Sequence, residues 1–130
     1  MKEPIWIRLD AVLQMHAECL REHGGPEGLR DAGLLESAMS RPKNLYAYAE
    51  EPPSLSRLAA AYAKGIVANH PFVDGNKRTA FLVSLTFLLR NGLRVTATKE
   101  DRVVTFWGLA GGEVAEEQLA EWFERNSRPR

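Results

Sequence analysis

The segment Asn76–Arg90 constrains this chain more than any other. Phe81, Leu82, Val83, Leu85, Phe87, Leu88 and Leu89 crowd it and leave almost no polar face. A helix that is apolar nearly all round has to be surrounded by other elements, so the rest of the chain must wrap this one rod. Asn91-Gly92 gives the rod a fitting stop, since both residues tolerate left-handed angles.

The wrapping is legible on both sides. Asp10 can cap a helix in which Val12, Leu13, His16, Cys19, Leu20 and His23 recur on one face, ended by Gly24-Gly25-Pro26. Asp31 caps a second, short helix whose face is Leu34, Leu35, Ala38 and Met39 and which ends at Pro42. Residues 42–53 hold three prolines and read as an irregular connection. Ser54 or Ser56 opens a third helix with Leu58, Ala59, Tyr62, Ala63, Ile66 and Val67 inward. His70, four residues beyond Ile66, continues that face before Pro71 discourages further helix. Two more helices are expected near Lys99–Ala110 and Val114–Asn126. Ile5–Leu9 is an extended lead-in or a brief strand, and Arg94–Thr98 is too short and isolated to found a sheet. The expected fold class is all-α: a compact helical bundle with at most one short β-hairpin or strand, in a single domain over residues 1–130.

Composition removes several functions. The 130 residues include 17 Lys+Arg and 17 Asp+Glu, so no net charge draws the chain to nucleic acid or an acidic membrane. Direct nucleic-acid binding is not expected. The single cysteine, Cys19, rules out an internal disulfide and fits a reducing compartment. The opening MKEPIWIRLD has no run suited to a signal peptide, and Thr79–Leu89 is about half of what a membrane span needs. A soluble, cytoplasmic protein without membrane contact is the expectation. His16, Cys19 and His23 share a face but have no fourth ligand nearby, so core or capping roles are read there rather than zinc. Trp6, Trp107 and Trp122 are expected as core or half-exposed anchors. The glutamate-rich tail helix should dock by Trp122 and Phe123 and show its acids to solvent.

Chemistry is concentrated in His70-Pro71-Phe72-Val73-Asp74-Gly75-Asn76-Lys77-Arg78. A helix starting at its end carries unsatisfied N–H groups from about Gly75 to Arg78, a ready anion site. Lys77 and Arg78 oppose the helix dipole there, which suggests that an anion, most simply a phosphate, sits against them. Asp74 beside a phosphate calls for a bridging Mg²⁺, and His70 can take a proton near neutral pH. Phe72 plugs the loop into the core. Read alone, the nine residues are equally a phosphoryl- or nucleotidyl-transfer site or a charged turn with a packed histidine.

The string resembles the active-site motif of the Fic/Doc superfamily, His-x-Phe-x-(Asp/Glu)-Gly-Asn-(Gly/Lys)-Arg, with every fixed position met. Lys77 at the eighth position resembles the death-on-curing (Doc) toxin branch, where most Fic proteins have glycine. Gly24-Gly25, Arg30–Glu36, Arg78-Thr79-Ala80 and Arg90-Asn91-Gly92 agree with it, and the likeness spans nearly all of the chain.

The resemblance implies a Fic/Doc-like helical domain and a role for each motif residue. His70 would be the base that deprotonates a target hydroxyl. Asp74 would hold Mg²⁺, and Gly75, Asn76 and Lys77 would cradle the phosphates of ATP. Arg78 would pair with a phosphate and stabilise charge as it moves. It further implies a toxin of a toxin–antitoxin pair that phosphorylates a Ser/Thr hydroxyl of a protein, with elongation factor Tu as target, and so arrests translation. A Phd-like antitoxin would lay a C-terminal helix in a groove near the site. Arg30 and Asp31 would edge the cleft, although a cap is the simpler role for Asp31. One alternative is a Fic-type AMP transferase, opposed by Lys77 and by Phe81, which stands where many Fic motifs have a second arginine. The other is a non-catalytic module that binds a nucleotide or protein.

Overall fold

A computed structural model describes residues 3–130. Its elements run α1 (Leu9–His23), α2 (Ala32–Tyr48), α3 (Leu55–Asn69), α4 (Asn76–Arg90), β1 (Leu93–Val95), α5 (Lys99–Gly111), α6 (Glu116–Arg125) and β2 (Ser127–Pro129). The chain is thus a helical bundle with one small sheet. α3 and α4 pack on each other; α2 and α6 cover α3, while α1 and β1 flank α4. The centre is therefore shared by two rods. Every residue of α3 from Leu58 to Ala63 is buried, whereas Leu82 and Leu85 of α4 are half-buried and Leu89 is exposed. Small alanines let neighbouring helices close over α3 on all sides, which the bulkier face of α4 does not allow.

Several boundaries differ from the sequence reading. The cap position of α1 is Arg8, which makes no side-chain cap; Asp10 lies in the first turn and pairs with Arg8 at 3.1 Å. The inward face of α1 is Val12, His16 and Cys19, with Leu13 and His23 turned to solvent. The sheet is not a hairpin. Leu93, Arg94 and Val95 pair antiparallel with Pro129, Arg128 and Ser127, a partner strand reached only after α5 and α6. Of the residues Ile5–Leu9, the first four stay extended without strand pairing, and Leu9 already opens α1.

The largest correction is at Pro42. α2 does not stop there but runs on to Tyr48 with Pro42 buried inside it. Proline withholds the N–H that would bond the Ala38 carbonyl, a cost of about 3 kcal/mol. The added turns offset it by half-burying Leu45 and by setting Tyr46 edge-on to Trp6, with ring centroids 5.7 Å apart. The Ala38 backbone faces Gly65 of α3 so closely that a Cβ there would stand 3.2 Å from its Cα and its carbonyl oxygen. Gly65 is therefore a packing glycine. Gly65→Ala should lower stability by about 1 kcal/mol, since crowding of that backbone (about 1–3 kcal/mol) outweighs the helix-propensity gain. The urea midpoint reads it, and an alanine variant more stable than wild type would refute it.

Two further contacts fix the bundle. The Tyr62 hydroxyl accepts the Ile7 N–H at 3.1 Å, and burial pushes its pKa up to about 12, so it stays unionised through the neutral range. Glu116, expected in solvent, is buried at the start of α6, where its carboxylate pairs with both Arg41 of α2 and Arg57 of α3. Two guanidiniums make its burial tolerable and join three helices.

Candidate active site

The loop between α3 and α4 holds the motif, and its geometry begins at His70. This residue ends α3 in the left-handed conformation, φ 50° and ψ 56°, the single non-glycine residue with positive φ among those described. Histidine enters that region at a cost of about 1–2 kcal/mol, and Pro71 disfavours the helical alternative. The turn takes the imidazole off the inward face of α3 and into solvent, contrary to the helical extrapolation from Ile66. Its ring makes no hydrogen bond among the described residues.

A guanidinium locks this turn. Arg30 Nε donates to the His70 carbonyl at 2.7 Å and its Nη2 to that of Asn69 at 2.9 Å, a cation on the negative end of α3. The Pro71 carbonyl accepts from the amides of Arg30 and Asp31, Val73 N–H donates to the Gly28 carbonyl, and an isolated antiparallel bridge joins Leu29 to Phe72. Asp31 is the cap of α2, accepting from Leu34 N–H at 3.0 Å, while Arg30 stands at the cleft. The segment before α2 is thereby stitched to the motif.

Beneath the loop, Phe72 is wholly buried and stacks on His16 of α1, with centroids 3.7 Å apart and planes 10° from parallel. His16 Nε2 donates to the Asp74 carbonyl at 2.7 Å. The Asn76 side chain closes the loop on itself. Its Oδ1 accepts the Phe72 N–H at 3.1 Å, and its Nδ2 donates to the Phe72 carbonyl at 2.9 Å. The amide of Asn76 is thus committed to loop shape, which leaves its backbone N–H for any anion.

The amino end of α4 is open. Gly75 caps it with φ 81° and no side-chain hydrogen bond, and the first helical bond is Thr79 N–H to the Gly75 carbonyl. The amides of Asn76, Lys77 and Arg78 precede that bond and point out of the helix end. Arg78 is exposed beside them. Asp74 is also exposed, its carboxylate lying against the bare Cα of Gly25, where a Cβ would come within 2.5 Å of Oδ2. Gly25 itself has φ +113°, so a side chain there is excluded twice.

Lys77 departs from expectation. Its ammonium lies 3.6 Å from the ring centroid of Trp107, which is 63% exposed on α5, more open than the core or half-exposed anchor expected of it. This cation–π contact relieves a charge that the helix dipole disfavours. Phe81 sits edge-on to Phe106 at 5.0 Å, so its position offers packing and no charge. Cys19 is buried; burial pushes its thiol up, opposed by the neighbouring Thr79 hydroxyl and by Arg78.

The structure therefore brings His70, Asp74, Gly75, Asn76, Lys77 and Arg78 to one loop and helix end. Sequence reasoning missed what holds them there. The sequence reads His16 as a core or capping residue, Trp107 as a core or half-exposed anchor and, by resemblance, Arg30 as an edge of the cleft; spacing shows that such residues share a face but not which carbonyl or ring they meet. Among the described residues no group of three or more His, Cys, Asp or Glu side chains could hold a metal alone. Next to this site, a groove of about 410 Å³ runs between α1 and the loop before α2, lined by Leu13, His16, Leu20, Gly25, Leu29 and Phe72.

A helical bundle that presents one bare helix end beside an arginine and a free imidazole defines a recognisable class. The Fic/DOC family model matches residues 6–88, and the chain belongs to that family. It is 33% identical over 116 residues to "Protein kinase doc" of Escherichia phage P1, covering 89% of this chain and 90% of that one. It is also 42% identical over 74 residues to "Toxin Doc" of Mycolicibacterium smegmatis, 57% of each chain. No helix among the described residues is long and apolar enough to cross a membrane.

Proposed function

We propose that this protein is a Doc-type toxin that transfers the γ-phosphate of ATP to a Ser/Thr hydroxyl of a protein, with elongation factor Tu as target. The observation that carries the reading is the open amino end of α4 with Arg78 on it, one short loop away from an unpartnered imidazole. The relatives named for kinase and toxin activity support it.

The three free amides and Arg78 would hold the triphosphate and keep charge stabilised as it shifts toward the leaving oxygen. His70 would accept the proton of the acceptor hydroxyl as that oxygen bonds to the γ-phosphorus. The bond from phosphorus to the bridging β–γ oxygen breaks, and ADP leaves with the electron pair. A single exposed carboxylate fits Mg²⁺ that arrives with the nucleotide, because this ion keeps its waters and needs one or two carboxylates besides phosphate oxygens. Asp74 would hold it, and the ion would supply charge neutralisation.

Lys77 and Phe81 favour phosphate over AMP transfer. Lysine brings a stem, its ammonium drawn to Trp107, where glycine would let backbone approach a pyrophosphate, and Phe81 removes a second clamp. The groove along α1, with Leu13, Leu20 and Leu29 in its lining and Arg21 and Glu27 among them, supports an antitoxin partner that docks an amphipathic helix there. Incubation with elongation factor Tu and ATP labelled at the α- or the γ-phosphate tests the assignment. Label should pass from the γ-position alone; transfer only from the α-position would make the protein an AMP transferase.

A further inference from the structure

We propose that His16 is a positioning residue that sets the Asp74 carboxylate through the Asp74 backbone. The inference rests on the proposed function only for what Asp74 holds; the positioning itself stands on geometry. His16 is 6% exposed, and among the described residues its one polar contact is Nε2 to the Asp74 carbonyl at 2.7 Å, which assigns the proton to that nitrogen. The same ring stacks on Phe72 and lines the space above Gly75, where a Cβ would stand 3.5 Å from its Cδ2 and Nε2. Three residues of the loop, Phe72, Asp74 and Gly75, thus meet one imidazole.

The carboxylate lies against Gly25, where a Cβ would come within 2.5 Å of Oδ2. Asp74 is pinned at its carbonyl from below and bounded at its carboxylate from the side, with no hydrogen bond to that carboxylate among the described residues. Its direction is therefore set by where the loop backbone is held. A residue needed only for packing would be better apolar, since a buried imidazole demands a partner. Phenylalanine would fill the site and keep the stack, but leave the Asp74 carbonyl without its donor. Glutamine would keep a donor and give up the stack.

The test uses the full chain as wild type, His16→Phe, His16→Gln and Asp74→Asn. Without nucleotide, hydrogen exchange of the Phe72, Val73 and Thr79 amides, each hydrogen-bonded within or beside the loop, should quicken about fivefold or more in His16→Phe and return to within about twofold of wild type in His16→Gln. The Mg²⁺ concentration for half-maximal phosphoryl transfer should rise about 10-fold or more in His16→Phe, as for other groups that orient a metal ligand, and recover in His16→Gln. The rise in melting temperature caused by ATP with Mg²⁺ should follow the same order. Exchange in His16→Phe equal to wild type overturns the proposal, as does a glutamine variant as defective as the phenylalanine one. Should Asp74→Asn leave the Mg²⁺ requirement unmoved, the metal role of Asp74 fails instead, and exchange alone decides the positioning.

Discussion

His70→Ala should lower phosphoryl transfer by about 10²- to 10⁴-fold, the range ordinarily supplied by a positioned general base. Folding should survive, because the ring makes no hydrogen bond among the described residues and stands in solvent. His70→Asn serves as the control, since asparagine tolerates the left-handed backbone that alanine resists. Single-turnover transfer from γ-labelled ATP measures the loss, and ATP binding should stay within a few-fold of wild type in both variants. Induction in cells supplies a second readout: wild type arrests growth and His70→Ala does not. Equal arrest by both, or none by either, would turn the assignment into a binding module without chemistry.

Phe72→Ala should cost about 3–5 kcal/mol of stability, the usual range for a wholly buried phenylalanine. The ring is 0% exposed and stacks on His16, so its removal leaves a void under the motif and unseats the base of the loop. Urea unfolding at constant slope reads the change. A loss below about 1 kcal/mol would mean that the loop folds independently of the core. Activity should fall further than stability alone accounts for, because Asn76 bonds both backbone groups of Phe72 and transmits any shift to α4.

Much of this molecule could be read from residue types. The apolar crowding of Asn76–Arg90, the Ser54 cap and the glycines at 24 and 25 each state a local preference that the fold keeps. The motif was legible because its parts are consecutive, so chain connectivity alone brings them together. Pro42 states a local penalty, and Leu45 and Tyr46 offset it through packing that sequence does not display. The same holds for Glu116, whose two arginines come from helices distant in the chain. Helical periodicity points His70 inward, but the helix ends one residue short of it, where Pro71 and Arg30 turn the backbone. Ser127–Pro129 has no strand signature, and it pairs because Leu93–Val95 is there to receive it.

That last pairing bears on how the chain is made. Leu93–Val95 emerges from the ribosome with its hydrogen-bonding edge bare and must wait for α5, α6 and finally Ser127–Pro129 to follow. At synthesis rates of about 5–20 residues per second, the wait lasts roughly two to seven seconds. Throughout that interval the nascent protein carries a tacky, unzipped seam beside the helix that bears the motif, and the seam closes only when translation has passed both helices.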